Sequence, residues 1–129
     1  MKVLTIKEPW ATLIINGIKE YEFRTWKTNY RGKLLIHAGK GKEINMFPLF
    51  KDYNLNYSYG EIIGEVALVD CILVDEKMDK ELKQKNKKVY GNNHVGDYAW
   101  KLANPIIYKD KIKINGKLGL WNYNEKEFV

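Results

Sequence analysis

Arginine is almost missing from this chain. Its 129 residues include 20 lysines but only two arginines, Arg24 and Arg31. Arginine grips carboxylate or phosphate through a planar fork, whereas lysine is a solvated point charge. A lysine-dominated chain that keeps its two arginines close together therefore points to a need for their fixed geometry. Cysteine is scarcer still. Cys71 stands alone, so no internal disulfide can form, and one cysteine with two histidines argues against a tetrahedral zinc centre. A reducing cytoplasm is the simplest compartment for such a chain. No apolar run approaches the roughly 20 residues that span a bilayer, so no membrane association is expected. The opening Met1 to Ile6 is interrupted by charge too soon for a signal peptide. Repeats and Ser/Pro/Gly-rich linkers are also missing, which leaves one domain, 1–129, long enough to bury a real core.

What is abundant is positive charge. The net charge of +6 raises nucleic acid as a partner. Lys, Asn, Ile and Tyr are all frequent, however, as an AT-rich genome would also produce. The lysine excess is open to both explanations.

Periodicity outlines a mixture of short strands and small helices. Val3 to Ile6 reads as a strand. Pro9 suits a first helical position, with Trp10, Leu13 and Ile14 at helical spacing before Asn16-Gly17 closes the segment. Residues 20–26 alternate as a strand, placing Glu20, Glu22, Arg24 and Trp26 on one face and Tyr21, Phe23 and Thr25 towards the core. Gly32 to His37 forms a further strand. Residues 41–53 are weakly helical and interrupted by Pro48. The long apolar run Ile62 to Val74 predicts a central strand covered on both sides, with Cys71 a buried, inert thiol. Lys77 to Lys88 reads as a polar helix. Strands are predicted at Asp97–Leu102, Ile106–Ile114 and Lys117–Tyr123, the last two joined by a hairpin at Asn115-Gly116. The sum is an α+β fold, a compact mixed barrel with two or three short helices.

The unusual chemistry is packed into residues 9–37. A strand face carrying acid, base and indole is poorly explained by packing, although a solvated face with Glu22 and Arg24 neutralising each other is the bland alternative. Lys19, at the turn just upstream, points to the same cleft. A lysine near an arginine and partly desolvated has its ammonium form disfavoured, which is one route to a reactive or proton-accepting amine.

Several of these segments resemble the ASCH (activating-signal-cointegrator homology) domain family. They are Pro9-Trp10-Ala11, Gly17-x-Lys19-x-x-Glu22-x-Arg24-x-Trp26, Tyr30-Arg31-Gly32 and Leu35-Ile36-His37-Ala38. Downstream, Gly64-Glu65-Val66, Tyr98-Ala99-Trp100, Asn104-Pro105 and the run Gly116 to Trp121 continue the likeness in order. The resemblance implies a PUA-like fold, a mixed pseudo-barrel flanked by two or three short helices, whose cleft holds RNA, a nucleotide or a modified nucleoside; no cofactor is expected. It would line that cleft with Trp10, Lys19, Glu22, Arg24, Trp26, Arg31 and His37. Lys40, Tyr98 and Trp100 join these as candidate ligand contacts. Indoles are stacking platforms for bases, worth about 1–3 kcal/mol each, and a carboxylate accepts from an exocyclic amine as it does with cytosine.

For individual residues packing competes with function. Trp10 is as much a core residue as a stacking one, Trp26 is the better platform, Trp121 belongs in the core and Trp100 near the cleft. His37 ends its strand before Ala38-Gly39-Lys40-Gly41-Lys42, a weak anion-loop signal. His94 lies in a Gly/Asn-rich loop with little to mark it, and Lys83, Lys85, Lys87 and Lys88 read most simply as a solvated face.

Three functions are compatible with these residues. One is an RNA- or nucleotide-binding module without chemistry. Another is a small hydrolase, since one branch of the family deacetylates N4-acetylcytidine with a lysine, a threonine and a glutamate. Lys19 matches that lysine, but Glu22 stands where the threonine would be. Lys19 and Glu22 would then act on water as an acid–base pair with Arg24 stabilising an oxyanion, or Lys19, Arg24 and His37 would surround a phosphodiester as a ribonuclease. The third is a regulatory protein-interaction module.

Overall fold

Leu34 to Ile36 and Ile62 to Ile63 are continuous apolar stretches of β-branched and leucine side chains, and strands built from them bury both faces. The computed structural model of the protein describes residues 1–124 and places these stretches at the centre of one six-stranded mixed sheet. Its strands are β1 (Lys2–Glu8), β2 (Tyr21–Arg24), β3 (Gly32–Lys42), β4 (Glu61–Leu73), β5 (Tyr98–Lys113) and β6 (Leu120–Asn122). Their spatial order is β2-β5-β4-β3-β1-β6. Only β1 and β3 run parallel; the other pairs are antiparallel.

The sheet is rolled. β2 and β1 stand four positions apart in the strand order, about 19 Å if the sheet were flat. Yet Arg24 on β2 donates from Nη2 to the Thr5 carbonyl on β1 at 2.9 Å. Curvature brings the two strands to facing sides of a seam, and the guanidinium bridges it. Pairing with β6 covers only Lys2 to Leu4, so the edge of β1 beyond Leu4 is left to Arg24. The rolled sheet encloses a core of Leu4, Ile6, Leu34, Ile36, Val66 and Trp100. Val3, Leu35 and Ile62 point the other way into a smaller cluster with Trp121 and Tyr123.

Helix α1 (Trp10–Ile15) closes one end, with Ala11 to Ile15 all buried. Pro9 carries no capping side chain, and Glu8 does that work instead. Its carboxylate accepts from the Thr12 amide at 2.8 Å, from the Thr12 hydroxyl and from the Ser58 amide at 2.9 Å. Burial nevertheless pushes the Glu8 pKa up. A 3-10 segment covers Ile44–Tyr53 around Pro48. Two further helices, α2 (Glu76–Lys85) and α3 (Lys87–Tyr90), pack Leu82, Val89 and Tyr90 against Leu13 and Phe50.

Several sequence expectations are corrected. Lys77 to Lys88 is two helices, because Asn86 is extended and its side chain caps α3 through the Val89 amide. The predicted strands 97–102 and 106–114 are one bulged strand, β5, whose partners are β2 and β4. Asn115-Gly116 is therefore not a hairpin: the chain leaves β5 and crosses to pair β6 with β1. Strand propensity around an Asn-Gly pair says nothing about which neighbour each strand takes. β3 runs on through Gly39 and Gly41 to Lys42, so His37 lies within the strand and no anion loop follows it. β4 is covered on both sides only in its first half, with Val69 and Leu73 exposed and Cys71 half-buried. β2 stops at Arg24, and Thr25 is exposed rather than directed into the core.

Gly64 is the tightest point of the wall. A Cβ there would lie 2.2 Å from the Ile106 carbonyl oxygen and 2.5 Å from Ile15 Cδ1. Gly64→Ala is expected to cost at least about 3 kcal/mol through forced movement of backbone and helix. Urea unfolding measures this directly, and a loss below about 1 kcal/mol would mean that the β4–β5–α1 junction is looser than described.

Candidate functional site

After α1 the chain must turn back towards the barrel. Gly17, at φ +75°, makes the reversal, and the amides of Ile18 and Lys19 both bond to the Leu13 carbonyl. This delivers Lys19 inward, where it is 5% exposed. β2 follows at once and carries Glu22 and Arg24 on one face. Lys19 Nζ lies 3.5 Å from Glu22 Oε1, and Arg24 binds Glu22 Oε2 through Nε at 3.1 Å and Nη2 at 2.9 Å. Glu22 is 7% exposed, so one nearly dry carboxylate is held between two cations.

Aromatic rings complete the box. Lys19 Nζ sits 4.6 Å from the Trp10 ring centroid and 5.0 Å from that of Phe23. The Phe23 ring in turn stacks on His94, with centroids 3.7 Å apart and planes 5° from parallel. Burial lowers the Lys19 pKa, opposed by the charge and hydrogen bond of Glu22. Burial also lowers that of His94, opposed by Asp97.

These groups form the floor of a cavity of about 590 Å³, within the range of small-ligand sites. Among the described residues five cationic side chains, Lys7, Lys19, Arg24, Lys40 and Lys117, face two acidic ones, Glu22 and Glu43. Arg24 is oriented by Glu22 and by the Thr5 carbonyl, while its Nη1 makes no hydrogen bond among the described residues. Among the described residues Thr5 supplies the one hydroxyl in the cavity wall, and that oxygen accepts from Trp121 Nε1 at 3.0 Å. Among the described residues no group of three or more His, Cys, Asp or Glu gathers to hold a metal ion, and no helix is long and apolar enough to cross a membrane.

The sequence-predicted residues separate into three sets. Trp10, Lys19, Glu22, Arg24 and Lys40 line this cavity together. His37 lies in the wall of an adjoining one, with Nε2 at 2.7 Å from the Ile114 carbonyl and a pKa lowered by burial. Trp26, Arg31, Tyr98 and Trp100 belong to neither wall. Trp100 is fully buried and donates to the Trp26 carbonyl, with the exposed Trp26 indole edge-on to it. Tyr98 is half-buried against the core. Arg31 is tied to the carbonyls of Thr28 and Tyr30 in its own loop, and lies 3.8 Å from Asp70.

Missed from the sequence were Thr5, Phe23, His94, Lys117 and Leu118 as wall residues. Phe23 was correctly directed at apolar packing, but its ring also faces Lys19. For His94 and Lys117 no local spacing gives a signal, because long-range packing alone brings them to β2.

Removing the carboxylate charge is expected to strand Lys19. Glu22→Gln should cost about 3 kcal/mol near neutral pH, since an unpaired buried cation remains. It should also lower the folded-state pKa of Lys19 further. Between that value and the unfolded 10.5 the unfolded chain binds more protons, so stability rises with pH across the window. The variant should therefore regain stability more steeply than the parent from pH 7 to 10 in denaturant titrations. Parallel pH profiles would contradict the coupling.

The sequence profile of the ASCH domain matches residues 4–112. Activating signal cointegrator 1 of Homo sapiens is 27% identical over 135 residues, 95% of this chain but 22% of that protein. The Mus musculus protein of the same name matches to the same extent. The chain thus spans about a fifth of the length of these curated relatives. Among solved structures, ASCH from Zymomonas mobilis superimposes with a TM-score of 0.59 at 15% identity, covering 98% of this chain and 89% of that one. A serine-to-alanine mutant of the same Zymomonas mobilis protein gives 0.61 at 16% identity, covering 98% and 89%. The rolled six-stranded sheet with short helices is the PUA-like ASCH fold, and the chain belongs to the ASCH domain family.

Proposed function

We propose that the cavity binds a nucleotide, free or as part of single-stranded RNA. The observation that carries this reading is the Arg24 guanidinium in the wall of a lysine-rimmed cavity, fixed by Glu22 and the Thr5 carbonyl while its Nη1 makes no hydrogen bond among the described residues. A fork pre-oriented in this way loses little entropy on gripping phosphate or a base edge. Trp10 offers an indole on the same wall, and Lys7, Lys40 and Lys117 supply attraction for a phosphate. Glu22, with lone pairs beyond those used by its two cations, suits the exocyclic amine of cytosine or adenine.

A second reading, hydrolysis of an acylated nucleoside, is favoured by one observation: Lys19 is buried, has a lowered pKa and touches a carboxylate. In that reading Lys19 and Glu22 act on a water as an acid–base pair, with Arg24 beside them to stabilise an oxyanion.

Titration with cytidine monophosphate and a short single-stranded RNA tests the first reading. Binding of both is expected, with Arg24→Ala weakening each at least about tenfold through loss of a charge-assisted hydrogen bond. RNA affinity should fall with salt. Unchanged affinity in a folded Arg24→Ala protein would remove the reading. Turnover of N4-acetylcytidine that vanishes in Lys19→Ala would replace it with the second.

A further inference from the structure

A second cavity of about 410 Å³ adjoins the first, and the two share Thr5, Gly39, Lys40, Lys117 and Leu118 as a common ridge. The side away from the floor is closed by His37, Gly60, Asn115 and Gly116. Among the described residues no acidic side chain lines it, and the two ridge lysines are the charged groups in its wall.

Three features describe what this chamber suits. Lys40 and Lys117, both exposed, favour an anion at the ridge. Leu118, 98% exposed and common to both cavities, offers an apolar surface at their junction. His37, only 1% exposed, carries the one buried side-chain polar atom among the described residues without a hydrogen-bond partner, its Nδ1. Nε2 faces a carbonyl, which can only accept, so Nε2 carries the proton and Nδ1 is a bare acceptor. The Gly116 backbone is its cover: a Cβ there would lie 3.0 Å from Nδ1 and 2.9 Å from Cε1. An anion-attracting ridge beside an exposed apolar side chain, over a glycine backbone that leaves room for close approach, matches a ligand that combines a planar apolar surface with a negative charge.

We infer that the second chamber is the subsite for the neighbouring nucleotide of a single-stranded polynucleotide, with the linking phosphodiester lying over the Lys40–Lys117 ridge. This rests on the proposed nucleotide reading of the first cavity and deepens it. The site takes a strand of at least two units rather than a single nucleotide. One base occupies the chamber floored by Lys19, Glu22 and Arg24, and the next lies against Leu118 and the Gly116 backbone.

The test compares cytidine 5′-monophosphate with the dinucleotide pCpC, in the parent protein and in Asn115→Trp. Asn115 is exposed and lines the second chamber alone, so the substitution fills that chamber and leaves the first untouched. The parent is expected to bind pCpC at least about tenfold more tightly than the mononucleotide. In Asn115→Trp that advantage should vanish while mononucleotide affinity holds. Equal affinities for both ligands in the parent would overturn the subsite and leave the nucleotide reading standing. A dinucleotide advantage that survives Asn115→Trp would also overturn it, since the second unit would then lie elsewhere. Binding of neither ligand would overturn the inference together with the reading on which it rests.

Discussion

A carboxylate taken out of water is tolerable only when paired charges and hydrogen bonds replace its hydration, and Glu22 has both. Lys19 stands on one side and Arg24 on the other. The same arginine reaches across to the Thr5 carbonyl and joins the two sides of the rolled sheet. Much follows from this one clamp. It offsets the desolvation of Lys19, orients the guanidinium at the cavity and holds β2, only four residues long, against a strand with which it has no ladder. Glu22 is therefore both a structural member and the floor of the candidate site.

The aromatic residues around the clamp extend this logic. Trp10 and Phe23 give Lys19 cation–π partners in place of water, and His94 lies flat against Phe23 from the α3–β5 connection. Packing between distant segments thus sets the polarity of a small volume. Beyond it, lysines on β1, β3 and the segment before β6 lie at the rim, where charge remains hydrated and available to a ligand. A dry, fixed floor beneath a wet, basic rim separates orientation from attraction, which suits recognition of a ligand that is part planar base and part phosphate.

The sequence carried the clamp unusually well. Strand alternation placed Glu22 and Arg24 on one face, and the Asn16-Gly17 stop placed Lys19 beside them, because both are local consequences of backbone period and turn chemistry. Periodicity pointed to a compact mixed barrel, and the ASCH resemblance added which fold it is. What alternation could not show is where a strand ends. Trp26 and Thr25 were assigned to faces of a strand that stops at Arg24. Nor could it show which strand pairs with which. Asn115-Gly116 has the residues of a hairpin turn, yet β6 crosses to β1 because Trp121 finds its place beside Val3 and Leu35. Trp100 illustrates a third limit: an aromatic residue in a family motif can lie wholly in the core while the neighbouring indole takes the surface.

The central claim is that ligand recognition is organised by the Lys19–Glu22–Arg24 clamp and its basic rim. The most direct measurement is NMR mapping of a cytidine monophosphate titration, following the Arg24 Nε and Trp10 indole signals alongside the backbone amides. The account requires the largest shifts at Arg24, Trp10 and Lys40, with the lysines of α2 and α3 unaffected. Shifts concentrated on Lys83, Lys85, Lys87 and Lys88, with Arg24 silent, would contradict it and reduce the clamp to a device of the fold.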